Sequence, residues 1–357
     1  MPLSATASGE RQSTSIEQPT RMQLINRTPF AGSAFVDTDR HGSEILVLVM
    51  KATFAFGGSR PPVLAPVQAP LVFTDIHAGK PGASSLLYES DANWGRQAAD
   101  VALLAYAYPA RPGDSESDVG IRVGALAKAA RVFGERSWSN GLAGAHLSSP
   151  RPFERIPLTY ENAFGGVDHS AEQSADFESE ARNPVGRGMR ARKSQNPIES
   201  VRAPNIEDPQ NLISRLSDRP APTGFTFVAK NWKPRGDFAG TYDAAWQSTR
   251  MPLLPTDFNP RFYTAASPGL SMPFPVGGEA VDLVNLTAMR REQFMLPRVD
   301  MQASFLVDAA PTPVTMQLDS IVIDAVKSKL LLVWHGTYPV MGLVDDIRWS
   351  LVEVGPL

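Results

Sequence analysis

The chain has 357 residues, 43% hydrophobic and 20% charged, with a formal net charge of -3. That balance suits a globular chain and supplies no overall attraction for nucleic acid or an anionic membrane. There are no cysteines, so disulfides, thiolate catalysis and cysteine-based zinc sites are excluded.

Residues 1–21 are rich in Ser, Thr and Gln and lack an apolar core. They read as a disordered tail and not as a secretory signal. No stretch reaches the roughly 18 apolar residues of a membrane-spanning helix. The expected location is the cytoplasm, with no membrane and no nucleic acid among the partners.

Strand signals begin at Met22. Met22 to Val36 reads as a strand broken at Thr28-Pro29 and resumed at Phe30. Glu44 to Phe56, EILVLVMKATFAF, is almost uniformly apolar at its start, as in a strand buried on both faces. Gly57-Gly58 and Pro61-Pro62 end it. Leu71 to Ile76 and Asp100 to Tyr108 read as further strands. Val119–Val123 and Ala127–Phe133 follow, with Gly124 between them. Gly141 to Pro234 shows no sustained period; Asn211–Leu216 is its best candidate for a helical turn. Ser170–Glu180 reads as an acidic, mobile loop and Arg182–Lys193 as a basic segment. Strands return at Ala280–Leu286, Gln302–Val307, Val314–Asp324, Leu330–Tyr338 and Asp346–Val354, the third and fourth joined as a hairpin by AVKSK.

The expected fold is mainly β: one or two antiparallel sandwich-like units with a long irregular central segment. The divisions are a β-rich 22–140, an irregular 141–235 and a β-rich 236–357. With 31 prolines and 27 glycines, turns are favoured over long helices.

Two stretches stand out. Pro157 to Met189 contains YENAFGG and NPVGRG; Trp232 to Phe262 contains GTYDAAW and MPLLPTDFNPRF. Long ordered loops are usually functional, and their aromatics argue against disorder. Tyr160, Phe164, Trp232, Tyr242, Trp246 and Phe258 are candidate partner anchors, with Arg187, Arg190 and Arg261, because Trp, Tyr and Arg dominate interface energetics. The same rings could instead pack these loops onto the sheets. Gly165, Gly166, Gly186, Gly188 and Gly240 read as turn or close-approach positions.

Together with GGEAVDLVNL, these motifs resemble a bacterial domain-of-unknown-function family whose genes lie beside type VI secretion spike and effector genes. The resemblance runs from about Met22 to beyond Leu296. It implies an adaptor or chaperone that binds an effector, or a PAAR or VgrG spike protein, and promotes loading; no cofactor and no enzymatic activity are implied. The family's lysine-containing motif is replaced here by ESDANWGRQAADVAL, with Arg96 and Gln97 near the lysine position.

Enzymatic readings have less to build on. The histidines lack the short helical spacing of a zinc site, and there is neither a G-x-S-x-G elbow nor a P-loop. Glu161, Asp168 and His169 could form an acid–base or metal site, or simply a polar loop. Asp237, Asp243, Asp257 and Glu279 could pair as hydrolase carboxylates, perhaps acting on a glycan, or serve as turn residues. His335, inside LLLVWHGTY, reads as a strand histidine bonded to backbone. A structural component of the secretion apparatus is a third reading.

Overall fold

The computed structural model describes residues 23–142, 144–171, 175, 177–307, 310–340 and 347–354. The tail expected over residues 1–21 and part of the acidic loop lie outside these. Three sheets carry the architecture. In chain order their strands begin with β1 (Gln23–Asn26), β2 (Ala31–Thr38), β3 (Glu44–Ala55) and β4 (Ala99–Leu104). The next are β5 (Glu116–Val123), β6 (Leu126–Phe133), β7 (Ile206–Glu207), β8 (Ser271–Met272) and β9 (Ala280–Val284). The last six are β10 (Arg291–Met295), β11 (Met301–Val307), β12 (Ala310–Val314), β13 (Gln317–Asp324), β14 (Lys329–Pro339) and β15 (Ile347–Val354). The fold is mainly β, with predominantly antiparallel pairing.

The largest sheet runs β8-β4-β13-β14-β3-β2, with Val63–Leu64 added on β3. A second runs β7-β6-β5-β9-β10, and a third β1-β15-β11-β12. Strands from the two ends of the sequence interleave. β14 lies between β3 and β13, and β4 pairs in parallel with β13, Asp100 opposite Ser320. One apolar cluster joins all three sheets. It includes Leu46, Leu48 and Met50 of β3, Val119 and Ile121 of β5, and Phe305 of β11. Each such buried apolar side chain contributes about 1.5–3 kcal/mol.

The residues explain the strands. From Leu46 to Phe54 β3 is buried on both faces, which accounts for its continuous apolar run. β5 alternates buried and non-buried positions along its length, so its other face is free of the core. β13 and β14 form the expected hairpin, turning through Ala325–Ser328.

Several expectations fail locally. Leu71 to Ile76 is not a strand: the Val72 amide donates to the Asp91 carboxylate at 2.7 Å instead of joining a ladder. Only Ile76–His77 pairs, with Leu86–Tyr88. Asn211–Leu216 forms no helix. The Ile213 amide is taken by Glu207 and those of Ser214 and Arg215 by Asp218, so side chains compete successfully for its donors. Val314 to Asp324 is divided between two sheets, β12 in the third and β13 in the first. Asp100 to Tyr108 breaks at Ala105, after which Tyr106–Ala107 pairs with Ile156–Pro157. β10 was not legible in the sequence pattern, and neither was the one α-helix among the described residues, α1 (Ala244–Thr249).

Candidate partner-binding site

Facing away from the main core, the largest sheet carries polar side chains on four adjacent strands. Lys51 lies on β3, Asp100 on β4, Asp319 on β13 and His335 on β14. All are buried, and the segment Glu89–Arg96 covers them. Lys51 Nζ donates to Asp91 Oδ2 at 2.8 Å. Arg96 pairs with Glu89, with Asp100 at 3.0 Å and with Asp319 at 3.6 Å. The ring nitrogens of His335 face Asp319 Oδ2 at 2.8 Å and the Asp91 carbonyl at 2.7 Å. The backbone bond read for His335 is therefore present, with a carboxylate in addition.

Arg235 extends this network outward. It donates to Glu89, to the Val228 carbonyl at 2.7 Å and to the Phe262 carbonyl at 2.9 Å. Burial alone would raise the Glu89 pKa, but the charges of Arg96 and Arg235 outweigh it and hold the carboxyl below its usual range. A cavity of about 10 Å³ touches Lys51, Glu89, Asp91 and Arg96. It has room for one water at most, so the network is closely packed.

Arg235 thereby fixes the base of a surface lobe, residues 235–263. Asp243 caps α1, accepting from the Trp246 amide at 2.8 Å, a contribution of about 1 kcal/mol. Trp246 donates its indole N–H to the Leu253 carbonyl at 2.8 Å, and its ring meets Tyr242 edge-on at 4.7 Å. No residue of α1 is buried. Gly240 takes φ 82, and a Cβ there would meet Asp257 and Pro255 at 2.9 Å; only glycine suits this position.

The lobe also contacts the β2–β3 hairpin. Arg250 donates to the Arg40 carbonyl at 2.8 Å, and Trp94 donates to Asp37 at 2.7 Å while stacking on Tyr263. Burial raises the Tyr263 pKa, and the nearby Asp37 and Tyr242 add to that. Tyr242 and Met251 are exposed, while Trp246, Trp94 and Tyr263 are half-buried. Beside the lobe, Arg235, Phe238, Arg261 and Pro268 line a cleft of about 230 Å³. The Arg261 guanidinium lies 4.2 Å from the Phe238 ring centroid, a cation–π contact.

The nine candidate anchors thus separate. Tyr160, Phe164, Trp232 and Phe258 are buried and do not present their rings to a partner. Tyr160 meets Trp232 edge-on at 5.2 Å, and its hydroxyl bonds Ser267 at 3.0 Å. These rings pack the loops against one another. Arg187 is occupied by the Glu161 carbonyl and the side chains of Asn162 and Asn205. Arg190 is occupied by the carbonyls of Ser194 and Asn196. Both guanidiniums staple the central segment. Tyr242, Trp246 and Arg261 remain at the surface. Tyr263, one of the motif-region aromatics, joins them, as do Trp94 and Met251, which were missed as anchors; the aromatic Trp94 in ESDANWGRQAADVAL was the available signal.

The candidate carboxylates are engaged separately. Asp257 accepts from the Thr241 amide and hydroxyl, Glu279 from the Val276 amide, and Asp237 pairs with Lys233. Glu161 accepts from the amide and hydroxyl of Ser85. Asp168 is buried, not solvated, and accepts from Ser170, Ala191 and Asn196. Among the described residues no group of three or more His, Asp or Glu is placed to hold a metal. No helix among them is long and apolar enough to cross a membrane.

Residues 41–335 match DUF2169, described as an uncharacterized protein conserved in bacteria. The chain belongs to this family. The DUF2169 match begins just before β3 and ends within β14, so it takes in the buried network and the whole surface lobe. No curated protein and no solved structure matches the chain.

Proposed function

We propose that this DUF2169 chain is a protein-binding adaptor or chaperone that holds an effector, or a PAAR-type spike-tip protein, for loading in type VI secretion. The observation that carries the binding part is the surface lobe. It exposes Tyr242 and Met251 beside the partly open Trp246, while Arg235 and Glu89 anchor its base in a buried ion network. Aromatics on a pre-organised base suit recognition, because little ordering entropy remains to be lost on binding. The secretion context comes from the resemblance of the loop motifs.

The test is affinity capture of the full chain from its native bacterium, with mass spectrometry of the recovered proteins. The expected result is a neighbouring effector or spike-tip protein, lost in a folded Tyr242→Ala/Trp246→Ala variant. Capture that recovers no secretion protein, or recovers one equally well with the variant, contradicts the proposal.

A further inference from the structure

Besides the two-residue Val63–Leu64, the three sheets have six edge strands, and five are blunted. β12 carries Pro311 and Pro313. β8 and β7 are two residues long, β1 is four, and β10 carries Arg291 and Glu292. Short strands, prolines and charges are the usual protections of a sheet edge. β2 has little of this: its one charge, Asp37, stands next to its last residue and is taken up by Trp94. Its eight residues, AGSAFVDT, contain no proline, lysine or arginine. It pairs with β3 from Ala31 to Thr38, and among the described residues its other side pairs with nothing.

This open edge runs into the lobe. Phe35 meets Phe73 edge-on at 6.4 Å, and Phe73 is 53% exposed. Two residues on, Asp37 holds Trp94. Asp37, Asp39 and Glu44 cluster at this end of the β2–β3 hairpin and take part in no salt bridge among the described residues. The register places Phe35 and Asp37 on one face of the sheet and Ala34 and Val36 on the other.

We infer that β2 receives an extended segment of the partner protein as an added strand. This rests on the adaptor reading and specifies its surface. Main-chain hydrogen bonds along β2 supply affinity, and alternate side chains supply specificity. Apolar side chains of the incoming strand cover Phe35, Phe73 and Trp94. A lysine or arginine at one end meets Asp37 on the face it shares with Phe35.

The test uses the full chain and capped peptides of about ten residues, alternating valine and threonine. One peptide ends in lysines, one in glutamates, and a third is the lysine peptide N-methylated at alternate residues. The readouts are affinity and hydrogen exchange of the Ala31–Thr38 amides. The lysine peptide should slow exchange in β2, the glutamate peptide should bind about three- to tenfold more weakly, and N-methylation on the paired side should abolish binding. Asp37→Asn should erase the charge preference. Binding that leaves β2 exchange unchanged, or no binding by the lysine peptide, overturns the inference. So does β2 protection in the free chain, which would show the edge already occupied by a second copy or by the chain itself. A captured secretion partner that protects only other surfaces sinks this inference and leaves the adaptor reading standing. Peptide binding at β2 without any secretion partner does the reverse.

Discussion

Arg235 and Glu89, 146 positions apart in the chain, form a buried ion pair that ties the surface lobe to the largest sheet. Glu89 is shared with Arg96, so removing Arg235 leaves the carboxylate buried with one cation fewer. Arg235→Met should cost about 3–5 kcal/mol, as loss of one partner from a buried pair generally does. Urea denaturation measures this, and a loss below about 1 kcal/mol would contradict the anchoring role.

Two buried aspartates should shape the acid limb of stability in opposite senses. Burial raises the Asp100 pKa to about 6; Arg96 opposes that, and the charge of Glu89 adds to it. The folded state then holds a proton that the unfolded chain loses near its ordinary value of 3.8. The stability from Asp100 is complete below that value and is lost as pH rises through about 6. Asp168 behaves the other way. Burial would raise its pKa, but hydrogen bonds from Ser194, Ser170 and Ala191 bring it to about 2. Its contribution is present above 3.8 and lost as pH falls through about 2. Each effect is on the order of 1–3 kcal/mol. Denaturation midpoints across this range should lose the first slope in Asp100→Asn and the second in Asp168→Asn. Unchanged profiles would refute the assignments.

Gly134 is held by close approach rather than by a special backbone angle. A Cβ there would lie 1.7 Å from the Arg151 carbonyl oxygen, while one on Gly269 meets nothing within 4 Å. Gly134→Ala should destabilise by more than about 3 kcal/mol, because backbone must move. Gly269→Ala, at φ 84, should cost only about 1–2 kcal/mol of left-handed strain. Thermal denaturation of the two variants should rank them in that order.

Trp94 tests the joint between the lobe and β2. Trp94→Phe keeps an aromatic ring against Tyr263 and removes the indole donor to Asp37. The expected stability loss is about 1 kcal/mol, with faster amide exchange at the Asp37 end of β2. Unaltered exchange there would show that the hydrogen bond does not hold the joint.

Much of the fold was legible locally. The apolar run of β3, the alternation of β5 and the AVKSK turn each reflect a period or a breaker carried within a few residues. The irregular middle was also readable from its glycines. Gly186 stands where an added Cβ would meet Asn183 at 2.4 Å. Two of the failures share one cause. Around Leu71 and Asn211 the pattern allowed regular structure, but the carboxylates of Asp91, Glu207 and Asp218 captured the amides. A carboxylate that captures an amide, whether a few residues away or further along the chain, leaves no mark on hydrophobic periodicity.

The sequence by itself therefore determined the β character, the main strands and the turns, because backbone preference and hydrophobic alternation act over short distances. Only the tertiary structure decided the strand order, with β14 placed between β3 and β13. It also decided which aromatics face solvent. Tyr160 and Tyr242 lie in similar motif loops, yet one is 2% exposed and the other 52%. The difference is what lies over each ring: Trp232 and Ser267 enclose Tyr160, whereas Tyr242 stands at the open edge of a lobe beside Trp246. Burial is a property of the assembled neighbours, which long-range packing alone brings together.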